Sequence, residues 1–363
     1  MGSTSKKFHH MYEDLKLKIE GHYYQPEDKL PSESEFMKLY DVSRYTARKV
    51  LTQLEKEDLI SKIQGRGCFV QSRPLTTQIT SSSTQIILIA SRAEQFYFSQ
   101  SISGIEKALQ NSGYTLTIKL SNYNASVEAE QLYEAFKGNY AGILLFPSDS
   151  GYIYTNQYLY RYIESRKIPC ISLGNVIPFV NIPSVITDDY IGGKLAAECL
   201  IKNGHSSVAC LMNREEYSGC MRYAGFIEGL RTSNTIIKND FIYWFGHSQK
   251  DSIFQAPKCN DLLKIAEKVT AFFCFNDSAA VNLYKLLKEH GYRIPDDISI
   301  IGYDDSFLCE TNPLPLTSLH QDPEYAGFVA AQNLLRLIND PKFDCNKTFL
   351  PYLVERKSVM NLK

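Results

Sequence analysis

Residues 32–54 read SESEFMKLYDVSRYTARKVLTQL, and this stretch decides the architecture of the amino-terminal part of the chain. Ser32 and Glu35 have the spacing of a capping box, in which each side chain accepts a hydrogen bond from the other residue's backbone amide at a helix start. After the short connection 41–43, a second apolar stripe at helical spacing follows, formed by Ala47, Val50, Leu51 and Leu54. The stretch therefore predicts two helices joined by a tight turn.

The other face of the second helix is polar and basic, and we expect it to point outward. It carries Arg44, Tyr45, Thr46, Arg48 and Lys49, and no acidic residue occurs from Val42 to Leu54. Arginine can grip guanine O6 and N7 with two hydrogen bonds, and a helix N-terminus that carries Ser32 or Thr46 suits a phosphate. This face is therefore a candidate DNA-binding surface; a merely solvated helix face is the alternative interpretation.

The flanking residues complete a recognisable unit. Phe8, Tyr12, Leu15 and Ile19 are spaced as one face of an earlier amphipathic helix. Residues 59–70 favour two short strands around a hairpin tip at 64–67, whose glycines permit positive φ and whose arginine projects. Three helices followed by a hairpin form a winged helix-turn-helix. The candidate DNA-contacting residues are Ser32, Glu33, Arg44, Tyr45, Thr46, Arg48, Lys49, Arg66 and Gly67.

A polar segment separates this head from the rest of the chain. Residues 71–85 lack apolar periodicity and are rich in hydroxyl side chains, which is typical of a linker. We predict a DNA-binding head at 1–71, a linker at 72–85 and a large body at 86–363. Because the linker is polar, we expect that it does not steer the heads as a rigid rod.

Bulk composition limits the class of protein. The 363 residues are 44% hydrophobic and 22% charged, enough for two or three globular units. A net charge of −1 argues against a protein that coats nucleic acid along its whole length. The chain lacks an apolar stretch of membrane-spanning length and an apolar amino-terminal signal, so a cytoplasmic location is expected. The nine cysteines form no CxxC pair, which favours buried thiols over metal ligands.

The body alternates short apolar strands with helical segments, the pattern of an α/β fold with parallel sheets. We predict helices at 102–111, 192–202 and 278–289. The predicted strands are 86–90, 114–119, 141–146, 169–173, 207–211, 271–275 and 299–302. So many elements suit two doubly wound lobes with a cleft between them. Asn276 and Asp304 follow predicted strands, at the edge where open α/β sheets place their ligands.

Both parts resemble known families. In the head, the motifs LPSESE, VSRYTARKVLTQL and GRGCFV, at 30–35, 42–54 and 65–70, resemble the GntR family's DNA-binding domain. Asp58 departs from that pattern, in which a glycine usually follows the recognition helix. In the body, TDDYIGG, RYAGF, FND and IGYDD, at 187–193, 222–226, 275–277 and 301–305, resemble the LacI/GalR effector domain.

These resemblances imply a fold, a ligand and a partner. The LacI/GalR family has a periplasmic-binding-protein-like fold, dimerises through this domain and binds sugars or related small molecules between its lobes. Carried over by position, Arg222, Asn276, Asp304 and Asp188 match its ligand-contacting residues, and the strand-end stretch 146–150 adds Asp149. Phe98, with its aromatic neighbours 96–97, could supply a platform for a sugar ring.

The expected function is therefore a sugar-responsive regulator. Its partners would be operator DNA, a sugar such as arabinose or another pentose or hexose, and a second copy of itself, and sugar would release the DNA. No cofactor and no membrane partner is expected. The alternative is a sugar-metabolising enzyme with an attached DNA-binding head, although the common nucleophile, phosphate and dinucleotide motifs are missing.

Several polar or aromatic residues have structural interpretations. His205 follows a glycine at a helix end and reads as a terminal signal. Asp277 and Asp305 are expected to cap helices or to form hinge hydrogen bonds. Tyr158, Tyr162 and Ile163 are expected to serve packing only.

Overall fold

A computed structural model describes residues 2–20, 24, 26–63, 65–71, 83–91, 96–148, 155–231, 235 and 238–363. Most of the predicted linker, 72–82, lies outside the described residues, as does Asp149. None of the described helices combines the length and apolar character needed to span a bilayer.

The head has the predicted order of elements. It consists of α1 (Gly2–Glu20), α2 (Glu33–Tyr40), α3 (Arg44–Lys56), β1 (Ile60–Ile63) and β2 (Gly67–Val70), with the two strands paired antiparallel. The capping box is confirmed, since Ser32 accepts from the Glu35 amide and Glu35 from the Ser32 amide. Met11, Leu15 and Phe36 pack against the α3 stripe in a common core. This arrangement is a winged helix-turn-helix.

Two backbone positions shape the end of the head. Asp58 has φ of 56°, the left-handed conformation that normally favours glycine, so the sequence departure noted at this position carries a real conformational cost. Gly67, at the wing tip, has φ of 115°, a conformation that side-chain-bearing residues rarely adopt. The glycine after Arg66 is therefore required by the turn itself.

The body begins with an amino-terminal lobe. Its elements in chain order are β3 (Gln85–Ala90), α4 (Phe96–Leu109), β4 (Thr115–Leu120), α5 (Ala125–Lys137), β5 (Gly142–Leu145), α6 (Gln157–Ser165), β6 (Cys170–Leu173) and β7 (Ser184–Thr187). The first of these helices starts at Phe96, six residues before the predicted 102. Phe98 therefore lies in the first turn of this helix.

A carboxyl-terminal lobe follows. Its elements are α7 (Asp189–Lys202), β8 (Val208–Asn213), α8 (Tyr217–Arg231), β9 (Ile242–Phe245), α9 (Cys259–Ala266), β10 (Ala271–Cys274), α10 (Asp277–Glu289), β11 (Ser299–Asp304), α11 (Leu308–Thr311) and β12 (Thr317–His320). The chain ends with α12 (Pro323–Asn339), β13 (Lys347–Phe349) and β14 (Tyr352–Val354).

Within the described residues, each lobe contains one six-stranded sheet, and the chain passes between the lobes three times. The strand orders are β13-β7-β6-β5-β3-β4 and β14-β12-β11-β10-β8-β9. All pairs are parallel except β12 with β14. The chain enters the carboxyl-terminal lobe after Thr187, returns to the amino-terminal lobe after His320 and crosses again after Phe349. The return is shown by α12, which packs on α4, and by β13, which extends the first sheet. The predicted two-lobed, doubly wound α/β fold is confirmed.

Glycines let two pairs of helices pack backbone to backbone. A Cβ on Gly193 of α7 would lie 2.0 Å from the Arg222 carbonyl oxygen, and one on Gly225 of α8 would lie 1.8 Å from the Tyr190 carbonyl oxygen. Gly104 of α4 and Gly327 of α12 make the equivalent close approach in the other lobe. These contacts fix α8, and hence Arg222, against the start of α7.

The head does not stand apart from the body. Its helix α1 packs against α6 of the amino-terminal lobe. The composition of the linker predicted only that it would not steer the heads as a rigid rod, and it could not reveal this contact between helices.

Candidate functional site

The first site is the exposed face of α3. Arg44, Arg48 and Lys49 are exposed, and Tyr45 is 75% exposed. Arg48 is held in place by Glu33 of α2 through two hydrogen bonds of 3.0 and 3.1 Å. Those bonds lower the pKa of Glu33, so the pair is ionised at neutral pH. The face presents cations in the position that a recognition helix uses in the major groove.

One predicted member of this face is placed differently. Thr46 was expected to point outward, but it is only 3% exposed. Its hydroxyl lies 2.9 Å from that of Ser43, the residue that caps α3. The Ser43 hydroxyl accepts from the Thr46 amide at 3.2 Å, and the Thr46 hydroxyl hydrogen-bonds to this capping group. Thr46 therefore supports the helix from within.

The wing and the second helix contribute the remaining predicted residues. Arg66 is exposed at the hairpin tip beside Gly67. Ser32 is engaged in the capping box, while Lys49 has its ammonium 5.0 Å from the centre of the Phe8 ring. Arg44, Arg66 and the Arg48–Glu33 pair are the groups best placed to meet DNA.

The second site is a cavity between the two lobes. Of the predicted ligand contacts, Phe98, Arg222, Asn276 and Asp304 line it. Asp188 does not, because its carboxylate caps α7 by accepting from the Ile191 amide at 3.0 Å. The next residue, Asp189, lines the cavity instead. Capping turns one aspartate toward the helix backbone and leaves its neighbour to face the cleft.

Arg222 is the buried cation of the cleft. Its Nε donates to Asp189 at 2.7 Å and its Nη1 donates to the Phe275 carbonyl oxygen at 2.5 Å. Its guanidinium also lies 3.5 Å from the centre of the Tyr303 ring. Burial lowers the pKa of Arg222, but Asp189 more than offsets this and the net pKa rises. Arg222 therefore remains charged, and its contacts fix its orientation.

Asp304 ends β11 in an unusual conformation, with φ of 104°. Its Oδ1 accepts from Gln321 Nε2 at 2.7 Å and lies 3.9 Å from Arg222 Nη1. Burial raises the pKa of this carboxyl group to about 8. A strained, buried side chain at a strand end is a feature of functional sites. At neutral pH, Asp304 can donate a hydrogen bond as well as accept one.

Asn276 begins α10, where its side-chain oxygen accepts from the Ala279 amide at 2.9 Å. Its NH₂ group donates to no acceptor among the described residues, and the residue lines the cavity. The same side chain can therefore cap a helix with one atom and donate to a ligand with the other.

The rim of the cavity holds groups that the sequence did not single out. Burial raises the pKa of Glu216 to about 7, and its Oε1 lies 3.6 Å from His247 Nδ1. His247, from the carboxyl-terminal lobe, stacks on Tyr123 of the other lobe. On the amino-terminal side, Phe98 and Phe146 form an apolar wall with ring centroids 5.2 Å apart.

The residues missed from sequence share one property: Glu216, His247 and Gln321 each follow a strand of the carboxyl-terminal lobe. The rule that located Asn276 and Asp304 would have found the last two if β9 and β12 had been predicted. Asp189 lies within a motif that was recognised, TDDYIGG at 187–193, but Asp188 was chosen in its place. Tyr123 follows β4 by three residues, as Glu216 follows β8, so the same rule applies to it, although its contact with His247 depends on the opposite lobe.

Most of the residues that were expected to have a structural role have one in the fold. His205 is buried and bonded to Thr270 and the Met360 carbonyl oxygen. Asp277 accepts from the Ser306 amide and the Ser318 hydroxyl within its lobe. Tyr158 differs, because its hydroxyl reaches into the head.

Comparisons with known proteins match both parts of the chain. The family model described as bacterial regulatory proteins, gntR family, matches residues 8–70. The model of the periplasmic binding protein-like domain matches residues 197–359, a stretch that contains Arg222, Asn276 and Asp304.

Individual proteins resemble the chain over most of its length. The arabinose metabolism transcriptional repressor of Geobacillus stearothermophilus is 28% identical over 348 residues, 93% of this chain and 93% of that protein. The HTH-type transcriptional repressor PurR of Vibrio vulnificus is 30% identical over 279 residues, 76% of this chain and 81% of that protein. A solved LacI family transcriptional regulator from Enterococcus faecalis with bound ribose is 30% identical and superposes with a TM-score of 0.65, covering 77% of this chain and 100% of that one.

Proposed function

The chain belongs to the LacI family of transcriptional regulators and carries a gntR-family DNA-binding head, and from this premise we propose that it is a repressor released from operator DNA by a neutral sugar. It is a ligand-responsive regulator and not an enzyme, since the family models and relatives are those of regulators. Arg44, Arg48 and Arg66 would contact DNA, and the cleft would hold the sugar.

The charged residues that line the cleft support the proposal that the ligand is neutral. Among its described lining residues, three acids, Asp189, Glu216 and Asp304, accompany a single arginine, whose charge Asp189 already neutralises at 2.7 Å. Apart from the His247 imidazole beside Glu216, no further basic side chain among these residues could neutralise an anionic ligand. A neutral polyol can accept a hydrogen bond from the Asn276 NH₂ group, and the protonated form of Asp304 can both donate to it and accept from it.

Arabinose is the sugar that we propose first. The relative that matches 93% of the chain is named for arabinose metabolism, and the 30% identical solved structure holds ribose, another pentose. The cavity wall of Phe98 and Phe146 offers an apolar surface against which the carbon face of a pentose can pack.

On DNA the protein would act as a dimer in the cytoplasm. One head presents one recognition helix and can read only one half-site, so two copies related by a two-fold axis would fit an inverted repeat. We propose that the body provides the contact between the two copies, and sedimentation equilibrium of the full chain tests whether it forms a dimer.

The central experiment measures whether sugar binding in the cleft changes the affinity of the head for DNA. Duplexes would be selected by the full-length protein from a random library, and the affinity for the selected duplex measured by fluorescence anisotropy with and without L-arabinose, at one salt concentration. Thermal shift with L-arabinose, D-ribose and D-glucose would identify the bound sugar, since a ligand at a hundred times its Kd adds about 2.7 kcal/mol of stability.

The proposal expects an inverted-repeat duplex and a loss of affinity in the presence of arabinose. Stabilisation by ribose alone would keep the mechanism and change the sugar. Tighter DNA binding with sugar would make the ligand a corepressor, and no response to any of the three sugars would refute the proposal of a sugar effector.

A further inference from the structure

A buried polar cluster joins the head to the amino-terminal lobe. At its centre is Asp14 of α1, whose Oδ1 accepts hydrogen bonds from the hydroxyls of Tyr133 on α5 and Tyr158 on α6. The Asp14 Oδ2 accepts from the hydroxyl of Tyr40 and pairs with Lys18 at 2.6 Å. The two donors from the lobe and the two groups from the head thus share one carboxylate.

The cluster is shielded from solvent. The Asp14 side chain is 8% exposed and that of Lys18 is 18% exposed, with the Lys18 ammonium 5.1 Å from the centre of the Tyr158 ring. Burial raises the pKa of Asp14, but Lys18 and the phenol donors more than offset this, so the carboxyl group stays ionised. A buried charge is tolerated only when its partners are in place, so the cluster selects one docked geometry of the head.

The contact involves one lobe only. Tyr133 and Tyr158 both belong to the amino-terminal lobe, and no described residue of the other lobe takes part in the cluster. The recognition face remains open in this arrangement, with Arg44, Tyr45 and Arg48 exposed. Docking is therefore compatible with DNA binding.

We propose that the DNA-binding head and the amino-terminal lobe move as one rigid unit, joined by the Asp14 cluster, and that lobe movement reaches the DNA through this contact. This inference rests on the proposed function. When a sugar brings the lobes together, the amino-terminal lobe shifts relative to its partner lobe and carries the head with it. The separation of the two heads in a dimer then changes, and the fit to two half-sites worsens.

The test uses the full-length double variant Tyr133→Phe/Tyr158→Phe, which removes both hydroxyl donors of the lobe and keeps the rings. The readout is the coupling factor, the ratio of the arabinose dissociation constants measured with and without the selected duplex. Allosteric coupling of this kind is typically about 5- to 150-fold. In the double variant we expect this factor to fall toward one, while each binary affinity stays within about twofold of wild type.

The matched control is Tyr12→Phe. Tyr12 also lies on α1, but its hydroxyl donates to Glu57 inside the head. This control should retain the wild-type coupling factor. Wild-type coupling in the Tyr133→Phe/Tyr158→Phe variant would overturn the proposal.

A second measurement is independent of any sugar. Hydrogen exchange of peptides from α1 and α6 should be faster in the double variant than in wild type, because the two helices no longer protect each other. Equal exchange rates would show that the cluster does not hold the head on the lobe and would also overturn the proposal. If the wild-type protein bound no sugar, the proposed function would be refuted. The hydrogen-exchange experiment would still decide whether the cluster holds the head on the lobe.

Discussion

Tyr123 of the amino-terminal lobe lies face to face with His247 of the carboxyl-terminal lobe, with ring centroids 3.5 Å apart and planes inclined by 17°. Both residues line the cavity. Asn122 and Tyr123 have φ of 51° and 58°, so consecutive left-handed residues place this ring across the cleft. The stack thus joins the lobes at the edge of the candidate sugar site, and its backbone strain is balanced by the contact.

Tyr123→Ala tests this contact. Because an aromatic pair contributes about 0.5 to 1.5 kcal/mol beyond its buried area, loss of the stack should weaken arabinose binding about 2- to 13-fold. Tyr123→Phe, which keeps the ring, should bind as wild type does. Calorimetry compares the three proteins, and equal affinity of the alanine variant would show that the stack does not stabilise the sugar-bound state.

Asn276→Ser tests the polar contacts of the cleft. Serine can still cap α10, so the melting temperature should be unchanged, while loss of the NH₂ donor should weaken sugar binding by about 1 to 3 kcal/mol. Arg222→Ala serves as the contrasting variant, because it leaves Asp189 buried without its partner and should cost about 3 to 5 kcal/mol of stability. Full sugar affinity of Asn276→Ser would place the ligand away from α10.

Arg44→Ala tests the recognition helix. If Arg44 reads a base, affinity for the selected duplex should fall by about 1 to 3 kcal/mol, with sequence preference relaxed at one position. Arg231→Ala removes the same charge from α8 in the carboxyl-terminal lobe, where Arg231 pairs with Glu228, and should leave DNA binding unchanged. Equal losses in both variants would indicate that net charge alone matters, and not the α3 face.

Glu216 gives the unfolding free energy a pH dependence. Burial raises its folded-state pKa from 4.5 to about 7, so between these pH values the folded protein keeps a proton that the unfolded chain releases. The free energy of unfolding should therefore fall as pH rises through this window, by up to about 1.4 kcal/mol per pH unit for this group. Urea unfolding at pH 5, 6 and 7 should show a shallower fall in Glu216→Gln; parallel curves for the two proteins would contradict the shifted pKa.

Gly225→Ala separates packing from helix propensity. Propensity alone would make the alanine variant about 1 kcal/mol more stable, because glycine is a poor helix former. The Cβ would lie 1.8 Å from the Tyr190 carbonyl oxygen, so we expect destabilisation by about 1 to 3 kcal/mol instead. Glu228→Ala, at a partly exposed position of the same helix, should change stability little. A gain of stability in Gly225→Ala would mean that α7 and α8 can separate at low cost.

Much of the head and part of the cleft could be predicted from the sequence. The Ser32–Glu35 capping box and the α3 stripe are local patterns, since helical contacts join residues three or four positions apart. Asn276 and Asp304 could be located because the carboxyl end of a parallel strand is a ligand-binding edge whatever lies opposite. Thr46 was misplaced, because residue type cannot show whether a hydroxyl turns to solvent or to its own helix start.

Other features required the tertiary structure. The pairing of Asp189 with Arg222, the stack of Tyr123 on His247 and the return of α12 to the first lobe depend on where the chain crosses between lobes, which periodicity does not specify. The bond from Tyr133 to Asp14 joins residues 119 positions apart. The sequence by itself determined the elements with a clear local period or cap, such as α2, α3 and the strand ends at Asn276 and Asp304, because those interactions are short in range. Only the tertiary structure decided which of those ends face one another, because burial and charge pairing act between surfaces that the fold alone brings together.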